Sequence, residues 1–83
     1  MVLKVEGYIF INSDPGMVWE ITETAVKMIK GVKMAHAVTG EFDIIAYAEF
    51  ANIEALAEII EKVQALKGVQ RTRTAVAIPA RLK

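Results

Sequence analysis

The sequence predicts an α+β fold: a ferredoxin-like β-α-β-β-α-β sandwich, with one four-stranded antiparallel sheet and both helices on one of its faces. Three observations predict it. First, the chain carries a near-repeat: Lys30–Val38 reads KGVKMAHAV and Lys67–Val76 reads KGVQRTRTAV, with the Lys-Gly-Val starts 37 residues apart. Second, a helix-like segment precedes each copy and a strand-like segment lies within it, so the chain reads as two β-α-β units. Third, the two units are joined by only a short turn, Thr39-Gly40-Glu41, which makes an antiparallel hairpin rather than a crossover.

Each element has its own signal. Val2–Ile11 is rich in β-branched and aromatic residues, with Leu3, Val5, Gly7, Ile9 and Ile11 on one face and Lys4, Glu6, Tyr8 and Phe10 on the other. Asn12-Ser13-Asp14-Pro15-Gly16 reads as a helix start, with Asp14 as the cap and Pro15 at the first helical position. The first helix is expected over Pro15–Lys30, with Val18, Ile21, Ala25, Met28 and Ile29 as its apolar stripe and Trp19 and Val26 widening it into the core. Glu23–Lys27 is an i,i+4 ion pair in the favourable orientation. Gly31 ends the helix.

Val32–Val38 is the second strand and Phe42–Phe50 the third. The third is apolar on both faces for most of its length, the pattern of a strand covered on both sides. Asn52 is placed to cap a second helix, Ile53–Leu66, whose buried side is expected to hold Ile53, Leu56, Ala57, Ile60 and Val63. Glu58–Lys62 is a second i,i+4 pair. Val69–Ile78 is the fourth strand, Pro79 stops it, and Ala80–Lys83 is a frayed tail. With both helices on one face, the other sheet face is bare. It is expected to show Tyr8 or Phe10 and small residues such as Ala35, Ala37, Ala75 or Ala77, unless a bulge exchanges the faces of a strand.

Composition bounds the rest. Eighty-three residues make a single domain, spanning 1–83, and one this small buries only about 60–65% of its unfolded surface. The chain has no cysteine and one histidine, His36, which excludes disulfides, thiolate metal sites and multi-histidine metal sites. No cofactor is implied. The composition is 54% hydrophobic, above the roughly 45–50% of ordinary domains, so the excess is expected to be covered by another subunit. Ten basic and ten acidic residues give zero formal charge, which argues against direct nucleic-acid binding, although Arg71, Arg73, Arg81 and Lys83 lie near one end. No apolar run reaches the roughly 20 residues of a membrane span, and Glu6 interrupts what would be the apolar stretch of a signal peptide. No membrane is implied, and a cytoplasmic location is expected.

No catalytic constellation is present. The one serine, Ser13, adjoins a helix start, and the five glycines are dispersed rather than forming a phosphate loop. His36 is either an exposed or satisfied sheet histidine or a general base or ligand whose partner the sequence does not name. Glu41 and Asp43 are two carboxylates near a hairpin tip. They either keep the tip hydrated or bind a cationic group such as an amine. Thr72 and Thr74 alternate with Arg71 and Arg73 on one strand, and those arginines are either solvated or bidentate carboxylate binders.

The segment Val38-Thr39-Gly40-Glu41-Phe42-Asp43-Ile44-Ile45, flanked by the two Gly-Val strand starts, resembles the effector-binding domain of the Lrp/AsnC transcriptional regulators, also called the RAM domain. That family's hairpin reads Val-Thr-Gly, acidic, aromatic, Asp, then apolar residues, and each position is matched; the Gly68-Val69 entry to a threonine-bearing last strand matches as well. The resemblance covers essentially the whole chain. It implies pairing of sheets into a homodimer with a barrel-like α/β arrangement, dimers joined into rings that are often octameric, and a small effector, commonly an amino acid, bound between dimers. Carried over, it makes Gly40, Glu41, Phe42 and Asp43 ligand-binding, with Thr72 and Thr74 matching more loosely. Full-length members carry a helix-turn-helix ahead of this domain. Here Met1 leads directly into the first strand, so a stand-alone form is expected, one that senses an effector and joins a full-length relative instead of contacting DNA. Two rival expectations remain: a small dimeric enzyme of monooxygenase or isomerase type using His36, Tyr8 and Trp19, and an ACT-like regulatory domain, whose sheets pair side by side.

Overall fold

The computed structural model describes residues 4–78. The elements run β1 (Val5–Ser13), α1 (Val18–Met28), β2 (Val32–Ala37), β3 (Ile44–Phe50), α2 (Ile53–Gln64) and β4 (Val69–Val76). They form one antiparallel sheet in the order β2-β3-β1-β4. This is the ferredoxin-like order, and the two repeats interleave in it. β1 lies between β3 and β4, both from the second repeat, while β3 lies between β2 and β1, both from the first.

One sheet face carries the core. Alternation along β1 and β3 sends Ile9, Ile11, Ile44, Ala46, Ala48 and Phe50 to the same side, where they meet Ile21, Ala25 and Ile29 from the first helical segment and Leu56, Ile59 and Val63 from α2. Each fully buried isoleucine contributes about 1.5–3 kcal/mol of transfer free energy. A small residue also makes room within the sheet. At Gly7 an added Cβ would stand 3.1 Å from the Phe50 ring, so the ring fills the place of a side chain.

The two repeated glycines are filled from across the repeat. A Cβ on Gly31, which follows α1, would lie 2.7 Å from Ile59 Cδ1 of α2 and 3.1 Å from the Glu49 carbonyl oxygen. A Cβ on Gly68, which follows α2, would lie 2.8 Å from Met17 Cβ and 3.3 Å from Ile21 Cδ1 of α1. Each turn therefore receives side chains from the helical segment of the other repeat.

Several expectations are corrected. Trp19 is 76% exposed and Val26 39%. At about 100° per residue both point away from the Ile21–Ala25 face, so they lie on the outer side of α1. Met28 ends the helix and is exposed; Ile29, already extended, takes the core place. Asp14 does not cap α1. Pro15 and Gly16 form a turn, the cap position falls to Met17 with no side-chain bond, and the Asp14 carboxylate instead accepts from the Gln70 side chain. In α2 the buried stripe is Leu56, Ile59 and Val63, which leaves Ile60 half-buried at its flank and rotates Ile53 and Ala57 into solvent. Asn52 caps this helix as expected, its Oδ1 accepting from the Ala55 N–H at 2.8 Å. Glu23 and Lys27 pair at 3.8 Å, whereas Glu58 and Lys62 do not come within ion-pair distance. A bulge between Val32 and Met34 places Ala35 and Ala37 opposite Ala46 and Ile44 on the helix-covered face, and turns Met34 and His36 to the bare one. The residues expected to end the last strand and fray, Pro79 and 80–83, lie outside the described residues, as do 1–3.

Gly31→Ala should destabilise the fold by about 2–4 kcal/mol, because it adds a clash to a backbone held at φ +102°. Pairing it with Ile59→Val, which removes the clashing Cδ1, should recover part of that loss in urea denaturation. Strict additivity of the two changes would contradict the interlock.

Candidate ligand-binding site

The candidate site is the connection between β2 and β3, residues 38–43, at the end of the sheet where β1 finishes and β4 begins. The loop is closed at its base by the Val38 N–H donating to the Asp43 carbonyl at 2.9 Å. It is fastened to β1 three times. The Asp43 N–H donates to the Ile11 carbonyl at 2.9 Å, the Ser13 N–H donates to Asp43 Oδ2 at 2.9 Å, and the Asn12 side-chain amide donates to the Glu41 carbonyl at 2.9 Å. The reason is visible in the ladder. β1 and β3 pair only as far as Ile11 and Ile44, so the amide of Ser13, a residue 8% exposed, has no strand carbonyl opposite it. The Asp43 carboxylate supplies the missing acceptor.

Gly40 sits at the tip with φ +113° and nothing within 4 Å of where a Cβ would be. The position is open in space but restricted in backbone. Glu41 is exposed beside it. Phe42 is half-buried and packs on Phe10, ring centroids 5.1 Å apart, which places it over the bare sheet face. Gly40, Glu41, Phe42 and Asp43 are thus brought together. Thr72 and Thr74 are not part of that group: they pair with Ile11 and Ile9 and so stand on the helix-covered side of the edge strand β4, where Thr72 Oγ1 accepts from the Gln64 side chain at 3.0 Å. Arg71 and Arg73, opposite Asn12 and Phe10, are on the bare face.

That face has three regions. Toward the hairpin it is apolar and basic, with Phe10, Phe42, Ile45 and Arg73. Next to it Tyr8, 41% exposed, lies over Tyr47 with centroids 5.5 Å apart, and Met34 is 49% exposed. At the far end the single O–H of Tyr47 is shared between two acceptors, Glu6 at 2.8 Å and Glu49 at 3.0 Å, and Lys4 closes on Glu49 at 3.2 Å. The hydrogen bond to Glu6, then desolvation and Glu49, raise the Tyr47 phenol well above its usual range. The Tyr47 hydroxyl, then Lys4, hold Glu49 below the usual carboxylate range. The contribution of Glu49 is therefore present above the ordinary glutamate value and lost as pH falls through the lowered one.

His36, Tyr8 and Trp19 are not assembled into a pocket. His36 and Tyr8 lie on the bare face, and Trp19 is on the outer surface of α1. Among the described residues no three histidine or acidic side chains converge as a metal site. No helix among them is long and apolar enough to cross a membrane. Asn12 and Ser13 are site-building residues that the sequence signals only as part of a helix start. Their partners, Glu41 and Asp43, lie 29 and 30 positions away.

Residues 6–82 match the family model of the Lrp/AsnC ligand binding domain. The chain belongs to that family. It is 35% identical over 77 residues to an uncharacterised HTH-type transcriptional regulator of Pyrococcus furiosus, covering 89% of this chain and 51% of the regulator. It is 27% identical over 75 residues to a homocitrate synthase of Saccharolobus islandicus, covering 90% of this chain and 16% of the enzyme. The chain thus spans about half the length of the first relative and about a sixth of the second. Among solved structures, a hypothetical protein from Pyrococcus horikoshii superposes with a TM-score of 0.81 at 31% identity, covering 92% of each chain. A transcriptional regulator of Neisseria meningitidis in complex with L-Met superposes with a TM-score of 0.78 at 19% identity, over 90% of this chain and 50% of that one. The last likeness bears on the fold alone.

Asp43→Ala should cost about 1–3 kcal/mol in chemical denaturation, since it leaves the buried Ser13 amide unpaired. Phe42→Ala should cost the separate chain less than the 3–5 kcal/mol of a buried phenylalanine, because the ring is only half-covered. An Asp43→Ala variant as stable as the parent chain would show that the carboxylate is not what fastens the loop.

Proposed function

We propose that the chain is a sensing and assembly module in transcription regulation. It binds a small amino-acid effector at the 38–43 loop, pairs through its bare sheet face, and is not an enzyme. The observation that carries the reading is the loop itself: a glycine tip and an exposed carboxylate, held rigidly by three bonds to β1, beside an uncovered aromatic face. Because one Asp43 oxygen is taken by Ser13, Asp43 acts mainly by holding the loop. Contact with the charged ends of an amino acid then falls to loop backbone groups and Glu41. Thr72 and Thr74 enter the site where a neighbouring subunit brings its own hairpin to the β4 edge, which makes the site one between subunits. The match of residues 6–82 to the Lrp/AsnC ligand binding domain supports a small-molecule effector.

Tyr8, Met34 and Ile45 on the bare face support face-to-face homodimers, from which an octamer-like ring would be built; an ACT-like arrangement would pair edge strands instead. No helix-turn-helix is formed by the described residues, whose two helices are separated by two strands. The effect on transcription would pass through mixed assembly with a full-length Lrp/AsnC regulator. An effector can act this way only by binding one assembly state better than another. The homocitrate synthase match favours a second reading, in which such a module confers effector response on an enzyme.

Calorimetry against the twenty amino acids, with light scattering on the same samples, tests the proposal. Saturable binding of one or a few of them, with a change in assembly size, is expected. No binding by a folded oligomer would end the sensing claim. Gly40→Val should weaken binding at least about tenfold while leaving the dimer folded, because a β-branched residue is strained at positive φ. Unchanged affinity and size would refute it.

A further inference from the structure

The end of the sheet opposite the hairpin holds a second concavity. It is a half-open cleft of about 630 Å³ between the start of β2, the end of β3 and α2. Four lysines reach it from four different segments: Lys4 ahead of β1, Lys30 after α1, Lys33 on β2 and Lys62 on α2. Two carboxylates, Glu49 and Glu58, share it. Glu49 is already engaged by Lys4 at 3.2 Å and by the Tyr47 hydroxyl at 3.0 Å. Lys30, Lys33 and Lys62 have no carboxylate within ion-pair distance among the described residues. In a chain with zero formal charge, four lysines against two carboxylates around one concavity are a local positive excess that the composition does not require. The apolar part of the lining is Ala51 and Ala55, with the edges of the core residues Phe50 and Ile59 beneath.

We propose that this cleft binds a phosphorylated small molecule with an organic body, of the size and chemistry of a nucleoside polyphosphate. The volume lies within the range of about 300–1,000 Å³ for small-molecule sites. The cations are all lysines. Carboxylate recognition favours the planar fork of arginine, whereas lysine suits phosphate as a mobile point charge. An apolar lining beneath a cationic rim calls for a ligand with both a ring and a charged tail. Glu58, one turn before Lys62 on α2, offers an acceptor for sugar hydroxyls. The site does not depend on the amino-acid reading of the hairpin, because it lies at the other end of β1 and shares no residue with the 38–43 loop.

The test is titration of the intact chain with a fluorescent ATP analogue, competed by ATP, ADP, pyrophosphate and a short DNA duplex, at low and at physiological salt. Saturable nucleotide binding is expected, weakened at least about tenfold in Lys30→Gln/Lys62→Gln and unchanged in Lys27→Gln, a surface lysine of α1 outside the cleft. Amino-acid binding at the hairpin is measured on the same variants and should not move with them. Its absence would leave the nucleotide result standing, so the two proposals fail separately. The inference is overturned by no nucleotide binding at millimolar concentration, or by equal loss in Lys27→Gln, which would mean general attraction. Pyrophosphate binding as tightly as ATP would overturn it by removing any role for the apolar lining. Displacement of nucleotide by duplex at lower concentration would overturn it in favour of a polynucleotide surface.

Discussion

The close approach at Gly31 and Gly68 is the constraint on which the rest of the structure depends. In each repeat the turn leaving the helix carries no side chain, and the helical segment of the other repeat occupies that space: Ile59 at Gly31, Met17 and Ile21 at Gly68. These contacts set how deeply each helix sits on the sheet. They therefore set which face of α1 and of α2 is buried, and leave Trp19 and Val26 outside. They also explain why Lys-Gly-Val occurs twice. The glycine serves chain reversal, but it equally keeps open a socket that a methyl group would close.

The hairpin end depends on this frame through β1. With β1 held between β3 and β4, the ladder to β3 ends at Ile44, and the unpaired Ser13 amide becomes a fixed donor. Asp43 binds it, Asn12 binds the next carbonyl but one, and the loop is rigid without being buried. A loop held this way presents backbone groups to a ligand at little further entropic cost. The bare face adjoining it is continuous from Phe42 through Phe10 and Tyr8, so the candidate ligand loop and the candidate pairing surface are one surface.

Much of this was legible in the sequence, for identifiable reasons. Element order, the Asn52 cap, the alternation of β1 and the isolation of the 39–43 segment follow from local signals: period, caps and turn chemistry. What was not legible depends on non-local geometry. Trp19 reads as core from its composition, yet helix rotation against the sheet puts it outside. Asp14 reads as a cap because Pro15 follows it, yet Gln70, 56 residues away, takes its carboxylate. One bulge in β2 exchanged the faces of Ala35 and Ala37 with those of Met34 and His36. In the site, the grouping of Gly40, Glu41, Phe42 and Asp43 was legible because they are consecutive. The distance of Thr72 and Thr74 from it was not, since that follows from strand order and pleat. The lysine cleft was invisible for the same reason, with its four cations scattered from position 4 to position 62.

The interleaving of the two repeats has a consequence for how the chain reaches this structure. β1 and β2 never touch, and neither do β3 and β4; every ladder in the sheet joins one repeat to the other. The first forty residues emerging from a ribosome therefore have no strand pairing open to them. β1 gains its inner neighbour only when β3 has been made, and its outer neighbour only when Val76, near the end of the chain, is out. The internal duplication, which suggests two small folding units laid end to end, instead produces a molecule whose first three strands can pair only once Phe50 is made and whose last ladder waits for Val76, so that apart from the β2–β3 hairpin its sheet rests on distant contacts.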